Sequence, residues 1–320
     1  MSKPQDGLAD ELKASARALG FELFGAIDPA DVEALPDRPQ REAGFEPRSI
    51  AVLLMPSFIS RWQRGQAEVS GFYFISNKAH INTQAWIERL GERGIRAERL
   101  GTVRAKSAAA RAGLGVVRRN TLLYAPEFGS FHTLQVVALS EAITFACVVD
   151  HNDYDVERLF DANECVGCAR CAAACPTGAL DGRGNINRDR CLRSHMMSGR
   201  ETPVELRPLI GAKLMGCEAC QWACPKQPDI PVRSFERDDT FNVERLLEPT
   251  RETLDALAER IGRNYARAAR VSAQAALIAG NIGSREYLPA LERLSESTDG
   301  TIRAHARWAR DRIRFGPAKA

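Results

Sequence analysis

Nine cysteines stand in this 320-residue chain, and eight of them fall between Cys165 and Cys224. Cys165, Cys168, Cys171 and Cys175 follow C-x2-C-x2-C-x3-C and are closed by Pro176, while Cys217, Cys220 and Cys224 follow C-x2-C-x3-C and are closed by Pro225. A four-iron cube needs a thiolate at each corner, and a tight C-x2-C-x2-C loop wraps only three of them. The fourth ligand must come from elsewhere, and in two-cluster proteins the Cys before Pro ligates the other cluster. On that rule Cys165, Cys168, Cys171 and Cys224 hold one cluster, and Cys217, Cys220 and Cys175 hold three corners of a second. Cys191, alone between the motifs, is the candidate for the missing corner. Two zinc sites would also use eight thiolates, but this spacing is not the paired C-x2-C of a ribbon or finger. The expectation is two [4Fe-4S] clusters, with Cys147 left over in the apolar run 145–149 as a small buried hydrophobe.

Such ligands have to be carried by elements legible in the flanking sequence. Before the cysteines, residues 8–19 place Leu8, Leu12, Ala16 and Leu19 on one helical face, and residues 21–27 alternate as a strand. Residues 50–55 are a continuous apolar run suited to a buried strand ended by Pro56, and residues 131–139 read as another strand. Residues 76–93 fit an amphipathic helix through Ala79, Thr83, Trp86, Ile87 and Leu90, and residues 106–112 a short Ala-rich one. The aromatics Phe58, Trp62, Phe72 and Tyr73 read as packing against the sheet or as lining a pocket. No Walker loop, dinucleotide fingerprint or nucleophile elbow is present. His80 reads as a solvated or capped side chain, and His132 and His195 as hydrogen-bonded histidines or proton carriers.

After the cysteines, residues 254–261, 266–279, 287–294 and 302–313 read as successive helices with short connections, patterned like a HEAT repeat. Arg303, Arg307, Arg310 and Arg314 form a basic stripe, repeated by Arg263, Arg267 and Arg270. Such a stripe is either a solvated face or a phosphate-binding surface. Net charge is +3, yet residues 251–320 hold 13 Lys/Arg against 8 Asp/Glu, so the positive charge is concentrated there. No apolar run approaches the roughly eighteen residues a membrane span needs. A polar start without an export signal, together with thiolate ligands, points to the reducing cytoplasm.

Several segments together resemble the epoxyqueuosine reductases: AGLGVVRRNTLL (112–123), Gly129-Ser130-Phe131, the eight-cysteine framework, PVELRPLIGAKLMGCEACQWACP (203–225) and ARAARVSAQAALIAGNIG (266–283). The resemblance implies an α+β multidomain fold. Its parts are a nitroreductase- or cobalamin-processing-like α/β domain over residues 1–150, a double-cluster ferredoxin-like domain over 151–235 and HEAT-like helices over 236–320. It implies cobalamin, contacted near Leu123, Ser130, Leu134, Arg193 and Ser194, and reduced through the clusters by an external low-potential electron donor. It also implies tRNA as a partner, through the C-terminal arginine stripes, and no membrane. One departure concerns chemistry. The family's catalytic Asp would fall at Arg99, where only the neighbouring Glu98 is acidic, so Glu98 is the sole candidate acid there. The expected function is an oxidoreductase acting on queuosine in tRNA or on a diverged substrate. The alternative is an electron-transfer or corrinoid-activating protein, with Arg99, Arg118 and Arg119 on a docking surface.

Overall fold

The computed structural model describes residues 7–33, 43–143 and 165–316. Cys147 and its apolar run lie outside the described residues. In chain order the first elements are α1 (Leu8–Arg17), β1 (Leu23–Ile27), β2 (Ser49–Pro56), β3 (Ile59–Trp62), β4 (Glu68–Val69), α2 (Gly71–Glu92), β5 (Ala97–Arg99), α3 (Ala105–Arg111), β6 (Val116–Val117), β7 (Leu123–Tyr124) and β8 (His132–Leu139). Strands β1, β2, β8 and β5 form one sheet in that order, antiparallel throughout. The reason β2 reads as an unbroken apolar run is that both of its faces are covered. Ala51, Leu53 and Met55 pack with Trp86 of α2 and Leu12 of α1, while Ile50, Val52 and Leu54 pack with Ala108 and Ala109 of α3.

Helix α2 starts five residues before the periodicity suggests. Its first turn, Gly71-Phe72-Tyr73-Phe74, lacks helical patterning, but Ser70 caps it by accepting the N–H of Phe72 at 3.2 Å. Gly71 is required there, since a Cβ would stand 2.0 Å from the carbonyl oxygen of Phe58. Trp62, Phe74 and Phe235 stack beside this turn and Phe58 and Tyr73 are buried, while Trp62 also borders a cavity, so both readings of these aromatics have a part in the structure.

The cysteine-bearing segment holds only short elements: α4 (Arg170–Ala173), α5 (Leu192–His195), α6 (Arg207–Ile210), β9 (Lys213–Met215), α7 (Ala219–Trp222) and β10 (Val232–Phe235). It is fastened to the sheet region by two parallel ribbons, β9 on β4 and β10 on β3. Helices α8 (Val243–Leu247), α9 (Arg251–Ile261), α10 (Ala268–Ile282), α11 (Leu288–Leu294) and α12 (Gly300–Phe315) follow. Their core is continuous with Tyr73, Leu214 and Met215, so they pack on the cysteine segment. Residues 271–280 of α10 are buried on every side, which is why that helix is apolar all round.

Each arginine of the α12 stripe has a partner within the protein, while Arg307 and Arg314 stay exposed. Arg303 donates to the carbonyl of Ser297 at 2.6 Å and Arg307 to that of Ser295 at 3.0 Å, closing the end of α11. Arg310 pairs with Asp311 and Arg314 with Glu292. On the preceding stripe Arg263 and Arg267 are exposed.

Two tests follow from this packing. At Gly280 a Cβ would lie 2.8 Å from Cα of Ala309, where α10 and α12 cross. Gly280→Ala should therefore cost about 1–3 kcal/mol in denaturant unfolding despite its better helix propensity. His132 and His305 are held down to about 4 chiefly by burial. His305 accepts the N–H of Thr202 at 2.9 Å and bonds the carbonyl of Ala273 at 3.0 Å, which suits the neutral ring. Between the ordinary histidine pKa of about 6.5 and about 4 the unfolded chain binds more protons. Stability is thus fully present at pH 7 and falls as pH drops through that window, an effect readable in urea melts at stepped pH and flattened in His305→Gln.

Candidate metal centre

The two cysteine motifs fold as near copies. Cys168 N–H bonds the carbonyl of Cys165 at 3.1 Å across Gly167, whose φ of +70° suits glycine. One turn of helix, α4, then carries Cys171 and delivers Cys175 just beyond its end. In the second copy Gly216, at φ +102°, precedes Cys217, and α7 carries Cys220 and delivers Cys224. Pro176 and Pro225 stop each helix from continuing.

The eight described cysteines are all free and half-buried. The thiols act on one another electrostatically both within and across the foursomes the spacing implies. Burial raises the Cys171 thiol, with Cys165 and Cys224 adding to the rise. Burial also raises Cys217, with Cys191 and Cys175 nearby, and pushes Cys220 up to about 12, helped by Cys217 and Cys191 and then by Cys171 and Cys175. Cys191 is thus a neighbour of both Cys217 and Cys220. At Cys175 burial pulls upward, but the hydroxyl of Thr177 and the N–H groups of Thr177, Ala179 and Leu180 outweigh it and lower the thiol. Among the described residues no three His, Cys, Asp or Glu side chains converge on one ion. Thiolates of a cube sit on separate irons and have no need to. Eight free thiols, with N–H donors such as Ala179 at 3.2 Å from Cys175 Sγ, match in number the ligands of two [4Fe-4S] clusters.

The sheet region meets this segment through the β6–β7 hairpin and the turn before β8. Asn120, buried, donates to the hydroxyl of Tyr124 at 2.8 Å and to the carbonyl of Cys220 at 3.4 Å. Ser130 is held by Gln227, through its N–H at 3.0 Å and its hydroxyl at 2.6 Å, and donates to Gln221 at 3.1 Å. Leu123 is 1% exposed in the core under α3, and Leu134 is half-buried against the same core. Arg193 is exposed, with its guanidinium 5.6 Å above the ring of Tyr73, and Ser194 lies beside it on α5. Lys106 reaches the carbonyl of Thr121 from a recess that remains open to solvent. Reduced hydration there, then Arg188 and Arg193, lower its pKa.

Glu98 sits on the edge strand β5, where its carboxylate accepts the N–H of Gly44 at 2.9 Å, and Arg99 is exposed. His80 is exposed, His132 bonds the carbonyl of Leu123 at 3.1 Å and His195 that of Asp189 at 2.8 Å. A cavity of about 610 Å³ opens instead beside Cys217. Its wall includes Ser60, Trp62, Lys213, Glu218 and Trp222, and it reaches Leu192 next to Cys191. Glu98, Leu123, Ser130, Leu134, Arg193 and Ser194 are not on that wall. Burial raises the carboxyl of Glu218, which accepts the hydroxyl of Ser70 at 2.5 Å. The sequence reading passes over Ser70 and Glu218. The visible signal was an acid inside Gly216-Cys217-Glu218-Ala219-Cys220, but only folding brings Ser70 to it.

Residues 164–227 match the family model described as a 4Fe-4S double cluster binding domain. A Bacillus subtilis epoxyqueuosine reductase is 33% identical over 151 residues, 47% of this chain and 36% of that protein. A Lactococcus garvieae epoxyqueuosine reductase is 30% identical over 216 residues, 65% of this chain and 58% of that protein. The matched stretches thus span well under two thirds of these relatives. By structure, a selenomethionine-labelled epoxyqueuosine reductase superposes at TM-score 0.75 with 20% identity, covering 96% of this chain and 91% of that one. An epoxyqueuosine reductase solved with an epoxyqueuosine-modified tRNA-Tyr stem loop superposes at 0.70 with 20% identity, covering 96% of this chain and 90% of that one. A catabolic reductive dehalogenase shares the fold more loosely, at TM-score 0.50 and 16% identity, covering 84% of this chain and 38% of that one.

Ligand crossing between the motifs is testable by iron content and EPR of anaerobically reconstituted protein. Cys191→Ala should strip or degrade one cluster, dropping iron from about eight per chain toward about four, and leave the signal of the other. Cys147→Ala should leave both.

Proposed function

With epoxyqueuosine reductases as its homologues in sequence and in fold, and with a double-cluster domain at its centre, we propose that the chain is an iron–sulfur reductase whose acceptor binds in the cavity beside Cys217. The observation that carries this reading is the junction of the two: one wall of a roughly 610 Å³ space is a cysteine of the second foursome. The eight thiolates would hold the clusters, which when bound supply one-electron transfer at low potential. The chain's own groups then define what the acceptor meets. Trp62 and Trp222 offer ring faces, Lys213 a cation, and Ser70 holds the carboxyl of Glu218 at the wall.

Finer features belong to the same proposal. Residues 1–150, 151–235 and 236–320 act as a nitroreductase-like α/β unit, a ferredoxin-like unit and a HEAT-like stack. An external low-potential carrier delivers the electrons. Cobalamin enters through the sequence resemblance. Of its five expected contacts Arg193 and Ser194 remain open to a ligand, whereas Leu123 and Ser130 are spent inside the protein. That set does not make a corrin cradle. The tRNA reading draws support from the relative solved with a modified stem loop. It is opposed by the commitment of the α12 arginines to internal acceptors and by Arg99 standing exposed where an acid is expected. The reading favoured here is therefore reduction of a diverged substrate.

Anaerobic protein with a low-potential reductant should show both clusters reduced and reoxidised by an added acceptor, with Lys213→Gln or Trp62→Ala slowing reoxidation several-fold at full iron content. Epoxyqueuosine-containing tRNA should stay unconverted under conditions where a characterised epoxyqueuosine reductase completes the reaction. Conversion would restore tRNA as the substrate, and a protein that never takes up iron and sulfide would sink the reductase reading.

A further inference from the structure

The two cysteine motifs are near copies up to the closing proline and part company after it. Cys175 is followed by Pro176-Thr177-Gly178, and Cys224 by Pro225-Lys226-Gln227. After Cys175 the chain turns back on the sulfur: the N–H of Ala179 donates to Cys175 Sγ at 3.2 Å, and the hydroxyl of Thr177 lies 3.6 Å from the same atom in hydrogen-bonding geometry. After Cys224 the residue in the corresponding place, Lys226, is exposed and brings no hydroxyl.

The direction of the bond follows from the ligand role of the cysteine. Sulfur bound to iron has no proton to give and can only accept, whereas the Thr177 hydroxyl has one proton to offer. Water does not compete for that proton, since Thr177 is 5% exposed. The backbone that carries the hydroxyl is pinned on both sides. Its carbonyl accepts Arg190 Nε at 2.7 Å, the N–H of Gly178 bonds the carbonyl of Cys175 at 3.1 Å, and the N–H of Asn187 bonds that of Ala179 at 2.8 Å. Gly178 takes φ +61°, the left-handed turn that brings Ala179 back to the sulfur.

On the two-cluster reading, on which this rests, we propose that Thr177 is a positioning residue of the second cluster. Its hydroxyl donates to Cys175 Sγ and raises the reduction potential of the cluster assigned to Cys175, Cys191, Cys217 and Cys220, without acting on the first. The physical reason is that an added electron increases the negative charge on a cluster's sulfurs, so a fixed donor stabilises the reduced form more than the oxidised one. The cluster concerned is the one that faces the cavity, whose wall takes in Cys217 itself, Pro176 beside Cys175 and Leu192 beside Cys191. A raised potential there favours the reduced state next to the acceptor, whereas Lys226 gives Cys224 no donor of this kind.

The test is a redox titration followed by EPR on anaerobically reconstituted protein, with iron content measured first. Thr177→Val, nearly the same shape but without the hydroxyl, should shift one cluster to lower potential and leave the other where it was. Thr177→Ser, which keeps the donor, should hold the original potentials. The cluster that shifts should be the one missing from Cys191→Ala, so adding Thr177→Val to Cys191→Ala should leave the surviving cluster unmoved. Unchanged potentials in Thr177→Val, an equal shift in the Ser and Val variants, or a shift of the surviving cluster overturns the proposal. If Thr177→Val does not take up iron, Thr177→Ala decides in its place, and loss of iron in both makes the residue a structural support and also overturns it. An unmodified protein without two clusters would instead reject the reading beneath, and a Thr177 response without reoxidation by any acceptor would reject only the role of the cavity.

Discussion

Everything in this molecule hangs on one geometric constraint: a loop of three closely spaced cysteines cannot close a cube, so each foursome must borrow a thiolate from distant sequence. On the proposed assignment Cys224 would come back to Cys165, Cys168 and Cys171, and Cys175 and Cys191 would meet Cys217 and Cys220. The segment between the motifs is accordingly built of single helical turns and tight bends, with little core of its own. Its rigidity is supplied from outside. The ribbons β9 on β4 and β10 on β3 tie it to the sheet region, and α10 and α12 close over its other side.

The same constraint explains why polar contacts cluster at the seam. Short elements leave backbone groups without ladder partners, and buried polar groups must be satisfied. Asn120 answers the carbonyl of Cys220, Gln227 answers Ser130, and Asn281 of α10 donates to the carbonyls of Arg207 and Gly211. The first two of these bonds tie the sheet region to the cysteine segment, and the bonds of Asn281 tie α10 to it. The cavity beside Cys217 is the gap left where β3, β4 and the Gly216 turn do not close on one another.

Charge was the least reliable guide. An arginine stripe at helical spacing looks the same whether it faces solvent, phosphate or the protein. In α12 it faces the end of α11, because free carbonyls at a helix terminus are strong acceptors for a guanidinium. Glu98 is a similar case. Its position beside the expected acid suggested chemistry, yet on an edge strand the nearest donor was the backbone N–H of Gly44. An acid lying against the foursomes, Glu218, was hidden by its own motif, where cysteines draw the attention.

What the sequence determined by itself was chemistry that depends on spacing. It carried the double-cluster signature, from which the pairing of motifs and Cys191 as the eighth thiolate are proposed, along with the buried strands whose apolar runs need both faces covered. Those properties are local or combinatorial, so a linear chain displays them. Tertiary structure alone decided which side chains share a surface. It moved the start of α2 back to Gly71, joined Ser70 to Glu218 at a cavity wall and bonded Arg303 and Arg307 of α12 to carbonyls just past α11. Each of these depends on groups far apart in sequence coming within hydrogen-bond reach, and only a packed fold sets that distance.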